Sequence, residues 1–450
     1  MADPHADSHA DTHAETRRNE RWNASVVAFF VAVLGSSLAS TALVTILGVL
    51  VFDLTDSELS LGFLGLAEFA PAAILVLVTG TLADRLDRRT LAACGILGQA
   101  AATAGLGWYV GTDPTSVTPI FGLVLVFGTA RAFATPATRA LPGDIVTPSV
   151  LPWLMVRRSA AWQLASIAGP VVGGVLYAID VSLPFFAVVA FLVVAAGSML
   201  LVRPLPVSET TIAVVEDSAD AIRAEAIFEA GVELSEGAVI AAPPARARLG
   251  EAMEGLRFIR RQPVLLGAIS LDLFAVLFGG AVALLPAIAE DRLGVGAVGL
   301  GWLRAATGIG AGLVTIWLAW KPVTRRVGTK LLTAVAVFGV FTILLGITTS
   351  FVVAFVALLV LSGADAISVF IRATLVPLVT PNETRGRVLA VENVFIGASN
   401  ELGAFESGVA GQILGPAPAI VLGGAATLVV AAGYWKVFPD LRKVDRFPGA

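Results

Sequence analysis

Apolar residues run along this chain in blocks of about twenty, separated by short polar punctuation, and a helix needs roughly that many to cross the hydrocarbon core of a bilayer. Twelve such blocks are marked, near 24–50, 60–80, 91–110, 117–138, 157–179, 182–202, 264–289, 297–320, 331–349, 351–376, 388–412 and 416–437. The eighth and eleventh carry charges inside them. The pattern predicts an all-α membrane protein of twelve transmembrane helices in two pseudo-symmetric six-helix bundles.

Basic residues orient the blocks. With the amino terminus in the cytoplasm, the loops that face outward (51–59, 111–116, 180–181, 290–296, 350 and 413–415) hold a single basic residue, Arg292. Nearly all other Lys and Arg fall at the termini or in the opposite loops, the asymmetry of the positive-inside rule. Both termini are therefore expected in the cytoplasm. The expected organisation is a disordered tail (1–22), an N-terminal bundle (23–202), a cytoplasmic linker (203–263), a C-terminal bundle (264–437) and a short tail (438–450).

A constant offset of 241 residues joins the halves: RAFATP, with Arg131 and Pro136, parallels RATLVP, with Arg372 and Pro377. The same offset carries Asp87 to Gly328 and Arg89 to Lys330. Two separate matches at one offset, in a six-plus-six layout, indicate an internal duplication of the kind transporters use.

Composition narrows the class. Of 450 residues, 56% are apolar and 14% charged, and mean hydropathy is +0.85; soluble domains are about 45–50% apolar and 25% charged. The first 22 residues are polar and have no leader-like apolar core. A lone cysteine, Cys94, excludes a disulfide framework, and a net charge of -4 gives no electrostatic footprint for nucleic acid. No lysine follows a glycine, so there is no phosphate loop to drive a primary pump. The blocks hold neither histidine nor a nucleophile constellation, which argues against an enzyme, and no cofactor is expected. The three histidines, His5, His9 and His13, are four apart near the amino terminus; a helix would put them on one face as a weak metal candidate, and a low-complexity tail explains them equally.

The linker has an acidic tract, Glu209 to Glu236, and then LGEAMEGLRFIRRQP. Leu249, Met253, Leu256 and Ile259 at helical spacing predict an amphipathic helix on the inner leaflet, or a plain linker helix.

Ionisable residues within lipid are costly and mark function by default. They are Glu68 (second block), Arg131 (fourth), Asp272 (seventh), Arg304 (eighth), Asp365 and Arg372 (tenth), and Glu401 and Glu406 (eleventh). Counting at about 1.5 Å per residue puts Glu68, Asp272 and Glu401 roughly 18, 12 and 20 Å from the inner edge. Glu392 falls near the interface. In the eleventh block Glu392, Ser399 and Glu406 are seven apart, as are Asn393, Asn400 and Ser407, forming two adjacent polar stripes. Such stripes either line a water-filled path or hold helices together by hydrogen bonds. A partly desolvated carboxylate at this depth can exchange a proton near neutral pH, or can be tied up in a buried ion pair.

Three motifs carry a resemblance. GTLADRLDRR (Gly80 to Arg89, with Asp84, Arg85 and Arg88) resembles the cytoplasmic 2–3 loop signature of the major facilitator superfamily, with Asp87 where that family usually has glycine. SIAGPVVGG, with Gly169, Pro170, Gly173 and Gly174, resembles the motif of its antiporters, and residues 367–408 are similar to its branch of enterobactin, macrolide and multidrug exporters. The resemblance implies a monomeric drug:proton antiporter of a bacterial plasma membrane. It also implies that Asp84 latches onto the start of the eleventh helix in the outward-open state, with Arg85 and Arg88. Asp87 reads as a turn residue able to take a left-handed conformation. The function expected is export of small amphipathic molecules against protons by alternating access. The alternatives are a narrow-substrate exporter, a uniporter or importer, and a non-transporting sensor.

Overall fold

The computed structural model describes residues 22–147, 149–205 and 248–448; His5, His9, His13 and the acidic tract lie outside them. Twelve long helices are present among the described residues. The first six are α1 (Ala24–Thr55), α2 (Glu58–Arg85), α3 (Arg88–Val110), α4 (Thr118–Ala140), α5 (Leu151–Ile179) and α6 (Leu183–Leu201). Then come α7 (Pro263–Arg292), α8 (Gly296–Trp320), α9 (Val327–Ile347), α10 (Phe351–Val379), α11 (Asn382–Leu414) and α12 (Pro416–Val437). Eleven are long and apolar enough to span a membrane. The exception is α11, whose interior carries Glu392, Asn393, Asn400, Glu401 and Glu406.

Local chemistry sets the ends. Asn23 accepts a hydrogen bond from the Val26 N–H and caps α1, while Asp56 (φ 45) stops it. Ser57 accepts from Ser60 N to open α2. Gly415 (φ 87) and the proline at position 416 turn α11 tightly into α12. At the cytoplasmic side α5, α9 and α11 begin several residues before the apolar blocks, because hydropathy registers only lipid-facing turns and these helices continue past the bilayer as polar turns.

The packing repeats with a period of six helices. In the first bundle α1 packs on α5 and α6, α3 on α4 and α6, and α2 on α4. In the second, α7 packs on α11 and α12, α9 on α10 and α12, and α8 on α10. Each contact thus recurs six helices later. The two main contacts between bundles, α2 with α11 and α5 with α8, obey the same relation. Large apolar side chains cover the outer faces, among them Ile74, Val429 and Ile413, with Trp108 (72% exposed) near the outer end of α3 and Trp320 (87%) at the inner end of α8, where interfacial tryptophans belong.

One block is not a continuous helix. After Phe278, Gly279 and Gly280 interrupt α7, which resumes as a 3₁₀ turn (Ala281–Leu284), a short α segment containing Pro286 and a π turn (Ile288–Arg292). A Cβ on Gly280 would stand 2.5 Å from the Gly403 carbonyl and the Ser407 hydroxyl of α11. Glycine is needed for that approach, and Pro286 removes a backbone donor just beyond it. The amphipathic helix forms over Arg248–Arg261. Its Leu256, Phe258 and Ile259 pack on Leu265, Val376 and Val388 rather than on lipid, and Glu254 pairs with Arg387 at 2.8 Å.

Candidate functional site

A cavity of about 290 Å³ lies between the bundles, with walls from α1, α2, α4 and α7 to α11. Its surface is mostly apolar (Leu47, Leu64, Phe69, Phe338, Leu361). Glu68, Arg131, Arg304, Asp365 and Glu401, singled out in the sequence as ionisable residues within lipid, reach it, as does Asn400 of the α11 stripe. A second space of about 200 Å³ adjoins it, sharing Val44, Arg131, Val282, Arg304 and Thr307 and adding Gln163 and Ser166 of α5. Asp365 sits at the midpoint of α10 and also faces a small crevice of about 10 Å³ with Asp272, Phe338 and Ser368.

The two arginines related by the duplication are both paired, differently. On α4, Arg131 Nη1 lies 2.5 Å from Glu68 Oε1 of α2, with both side chains largely buried. On α10, Arg372 Nη2 is 2.9 Å from Asp272 Oδ1 of α7, and its Nη1 is 3.9 Å from Glu392 Oε1 of α11. Glu392, expected near the interface, is 5% exposed and belongs to this buried cluster. Asp365, Glu401 and Arg304 make no ion pair with any described residue. The Glu401 carboxylate points at Gly65 of α2, 3.1 Å from where a Cβ would stand. Arg304 Nε is buried without an acceptor.

The stripes on α11 split. Asn400 reaches the cavity, Ser399 and Ser407 are buried against neighbouring helices, and the Ser399 hydroxyl donates to the Ile396 carbonyl at 2.9 Å. Glu406 is exposed on the outer surface, and Asn393 is half-buried away from the cavity lining. The sequence reading missed Gly279, Gly280 and Pro286, which bring the α7 break to the cavity wall. A glycine pair and a proline inside an otherwise apolar block was the available signal.

The outer half of the interface is sealed by close packing. Gly62 and Gly408 let α2 and α11 touch, with Phe63 and Phe405 ring centroids 5.3 Å apart and a Ser57–Gln412 hydrogen bond of 2.6 Å above them. On the other side, a Cβ on Gly301 of α8 would meet the Pro170 carbonyl at 2.5 Å, and Gly174 faces the Ala297 carbonyl. Gly169 and Gly173 lie on the neighbouring face of α5 against Thr41 and Ala42 of α1. The motif therefore wedges α5 between α1 and α8. The described state is therefore closed at its outer side.

The 2–3 loop works within its own bundle in this state. Arg88 makes a forked bond to Asp144 (2.9 and 3.0 Å), beside the turn that follows α4, and Arg89 bonds Asp87 and the Val202 carbonyl at the end of α6. Arg85 is exposed, Gly80 is buried, and the side chain of Asp84 lies outside the described residues. Asp87 is not left-handed (φ -59). It precedes α3 and accepts from Arg89 and from the Thr90 hydroxyl at 2.5 Å. Partial burial pushes its carboxyl up, but the bonds from Thr90 and Arg89 outweigh this and hold it below the usual aspartate value. Gly328, which the 241-residue offset pairs with Asp87, lies in the first turn of α9. Its N–H donates to the Val444 carbonyl, and a Cβ there would collide with the Leu441 carbonyl. Close approach by the carboxyl-terminal segment, not a turn, explains that glycine. The left-handed residue nearby is Arg326 (φ 56).

Known proteins share this architecture. The structure of the human organic anion transporter MFSD10 (TETRAN) superimposes with a TM-score of 0.58 at 17% identity, over 92% of this chain and 99% of that one. A bacterial homologue of the human lysosomal transporter Spinster, in an inward-facing and unoccupied conformation, gives 0.61 at 15% identity, over 95% and 98%. A POT family transporter in complex with a thioalcohol-conjugated peptide gives 0.67 at 12% identity, over 93% and 96%. At such identities the likeness is one of fold. No curated protein sequence matches the chain. A family model described as Major Facilitator Superfamily matches residues 27–404. The chain belongs to that superfamily, and is a multi-pass secondary transporter of small molecules.

Proposed function

We propose that this transporter exports small amphipathic molecules in exchange for protons, by alternating access, from the cytoplasm of a bacterial cell across its plasma membrane, as a monomer. The observation that carries the reading is the placement of Asp365 and Glu401: two carboxylates on the wall of a mostly apolar cavity between the bundles, neither in an ion pair with a described residue. A buried carboxylate without a cation is far cheaper neutral than charged. A substrate cation entering from the cytoplasm makes the charged form favourable and the proton leaves, so proton and substrate occupy the site alternately. Glu68 and Asp272, already paired with Arg131 and Arg372, are better placed to hold the bundles' conformation than to carry the proton.

The 2–3 loop supports the same cycle. In the described state Arg88 is engaged by Asp144; on opening outward, the inner ends of α2 and α11 approach, and Asp84 meets the positive amino end of α11. The test is transport by purified protein in liposomes with an imposed pH gradient. Adding a transported cationic dye should collapse the gradient with wild-type protein, and at least about tenfold more slowly with Asp365→Asn or Glu401→Gln, each equally well inserted. Full activity in both variants rules out their role. Transport with no movement of protons points to a uniporter.

A further inference from the structure

Three ionisable groups on the cavity wall have no ion-pair partner among the described residues, and they are not all of one sign. Glu401 and Asp365 are acids, negative once their protons leave, and Arg304 is a base. Their placement separates them. Arg304 lies on α8, at the seam with the first bundle, where its Nη2 is 3.5 Å from the position a Cβ would take on Gly48 of α1. Glu401 lies on α11, at the opposite seam, against Gly65 of α2. Between the seams the wall is mostly apolar, its polar groups being Asp365 and Ser362 on α10, Thr307, Asn400 and the paired Glu68 and Arg131. Arg304 also stands where the two larger cavities join.

A guanidinium with a buried Nε that has no acceptor is expensive to leave unanswered. A purely cationic ligand would satisfy Glu401 or Asp365, leave Arg304 bare and add a like charge near it. A purely anionic ligand would do the reverse. We infer that the substrate is zwitterionic, with an apolar body carrying an anionic group for Arg304 and a cationic group for the carboxylates of Glu401 and Asp365. This rests on the exchange reading above and deepens it: the cationic group takes the place of the proton that leaves the carboxyl for water, while the anionic group provides affinity and moves no proton.

Binding tests this without transport. The probes are tetramethylrhodamine, whose free carboxylate makes it a zwitterion, its methyl ester, which is cationic only, and carboxyfluorescein, which is anionic only. Each is titrated by fluorescence anisotropy against the full-length protein in detergent at pH 8. The free-carboxylate dye should bind at least about tenfold more tightly than the ester, the magnitude of one charge-assisted hydrogen bond, and carboxyfluorescein more weakly than either. Arg304→Gln should erase the preference between the rhodamines, and Arg304→Lys, which keeps the charge, should retain part of it. Equal affinities for the two rhodamines overturn the inference. So does a preference that survives Arg304→Gln, or a failure of the free-carboxylate dye to bind saturably. Because binding is read directly, a preference found in a protein that moves no protons upholds the zwitterion and refutes the exchange, and the converse result separates them the other way.

Discussion

Arg372 shows how one residue can be read half correctly from sequence. Its depth and its match to Arg131 marked it, but its partners come from α7 and α11, and no spacing along the chain reveals them. The burial of Glu392 beside Arg372 was hidden for the same reason. Removing the guanidinium by Arg372→Ala takes the counter-charge from buried Asp272, a loss of about 3–5 kcal/mol, read as a clear drop in melting temperature in detergent. Arg372→Lys should recover part of it, and an unchanged melting temperature in the alanine variant would show that the cluster contributes nothing. Asp87 makes a weaker, pH-dependent contribution. Its carboxyl is held below the ordinary value in the folded protein. The stability it adds is therefore fully present above pH 3.8, the ordinary aspartate value, and is lost as pH falls through the depressed one. Being exposed, it should amount to under about 1 kcal/mol. The difference in melting temperature between the protein and its Asp87→Asn variant should shrink below pH 4 and stay constant from pH 5 to 8.

The elements divide by what sets them. Eleven helices announce themselves by length and apolarity, and α11 is the one whose charges keep it below that mark. Its seven-residue stripes correctly marked the helix as special but did not assign its faces: Asn400 reaches the cavity and Glu406 does not, because α2, α7 and α12 decide which side is covered. The α7 break escaped the hydropathy reading entirely, since glycine and proline scarcely alter a twenty-residue average. The seal between α2 and α11 depends on small residues. A Cβ on Gly408 would stand 2.7 Å from the Glu58 carbonyl and 2.9 Å from the Gly62 Cα. Gly408→Leu should therefore force the outer ends apart, increasing the distance between spin labels at the outer ends of α2 and α11, with little change at the inner ends. Identical distance distributions would show that the seal tolerates the added bulk.

At the scale of the whole molecule, the duplication visible at one offset in the sequence returns as a packing scheme in which every major helix contact recurs six helices later. The overall charge asymmetry gives an expected sidedness, whereas the conformational state was not legible, because inward- and outward-facing forms share one sequence and differ in which seams are closed. The described state predicts one-sided access. In a Cys94→Ser background, Asn400→Cys should react with a membrane-impermeant maleimide in everted vesicles and be protected in right-side-out ones; faster reaction from outside would contradict an inward-facing resting state. The most direct measurement of the central claim is proton release on binding, in weakly buffered detergent solution near neutral pH. Saturating the protein with tetramethylrhodamine methyl ester should release on the order of one proton per bound dye, and the double variant Asp365→Asn, Glu401→Gln should release none. Saturable binding of the ester to the wild-type protein with no proton released would contradict the account.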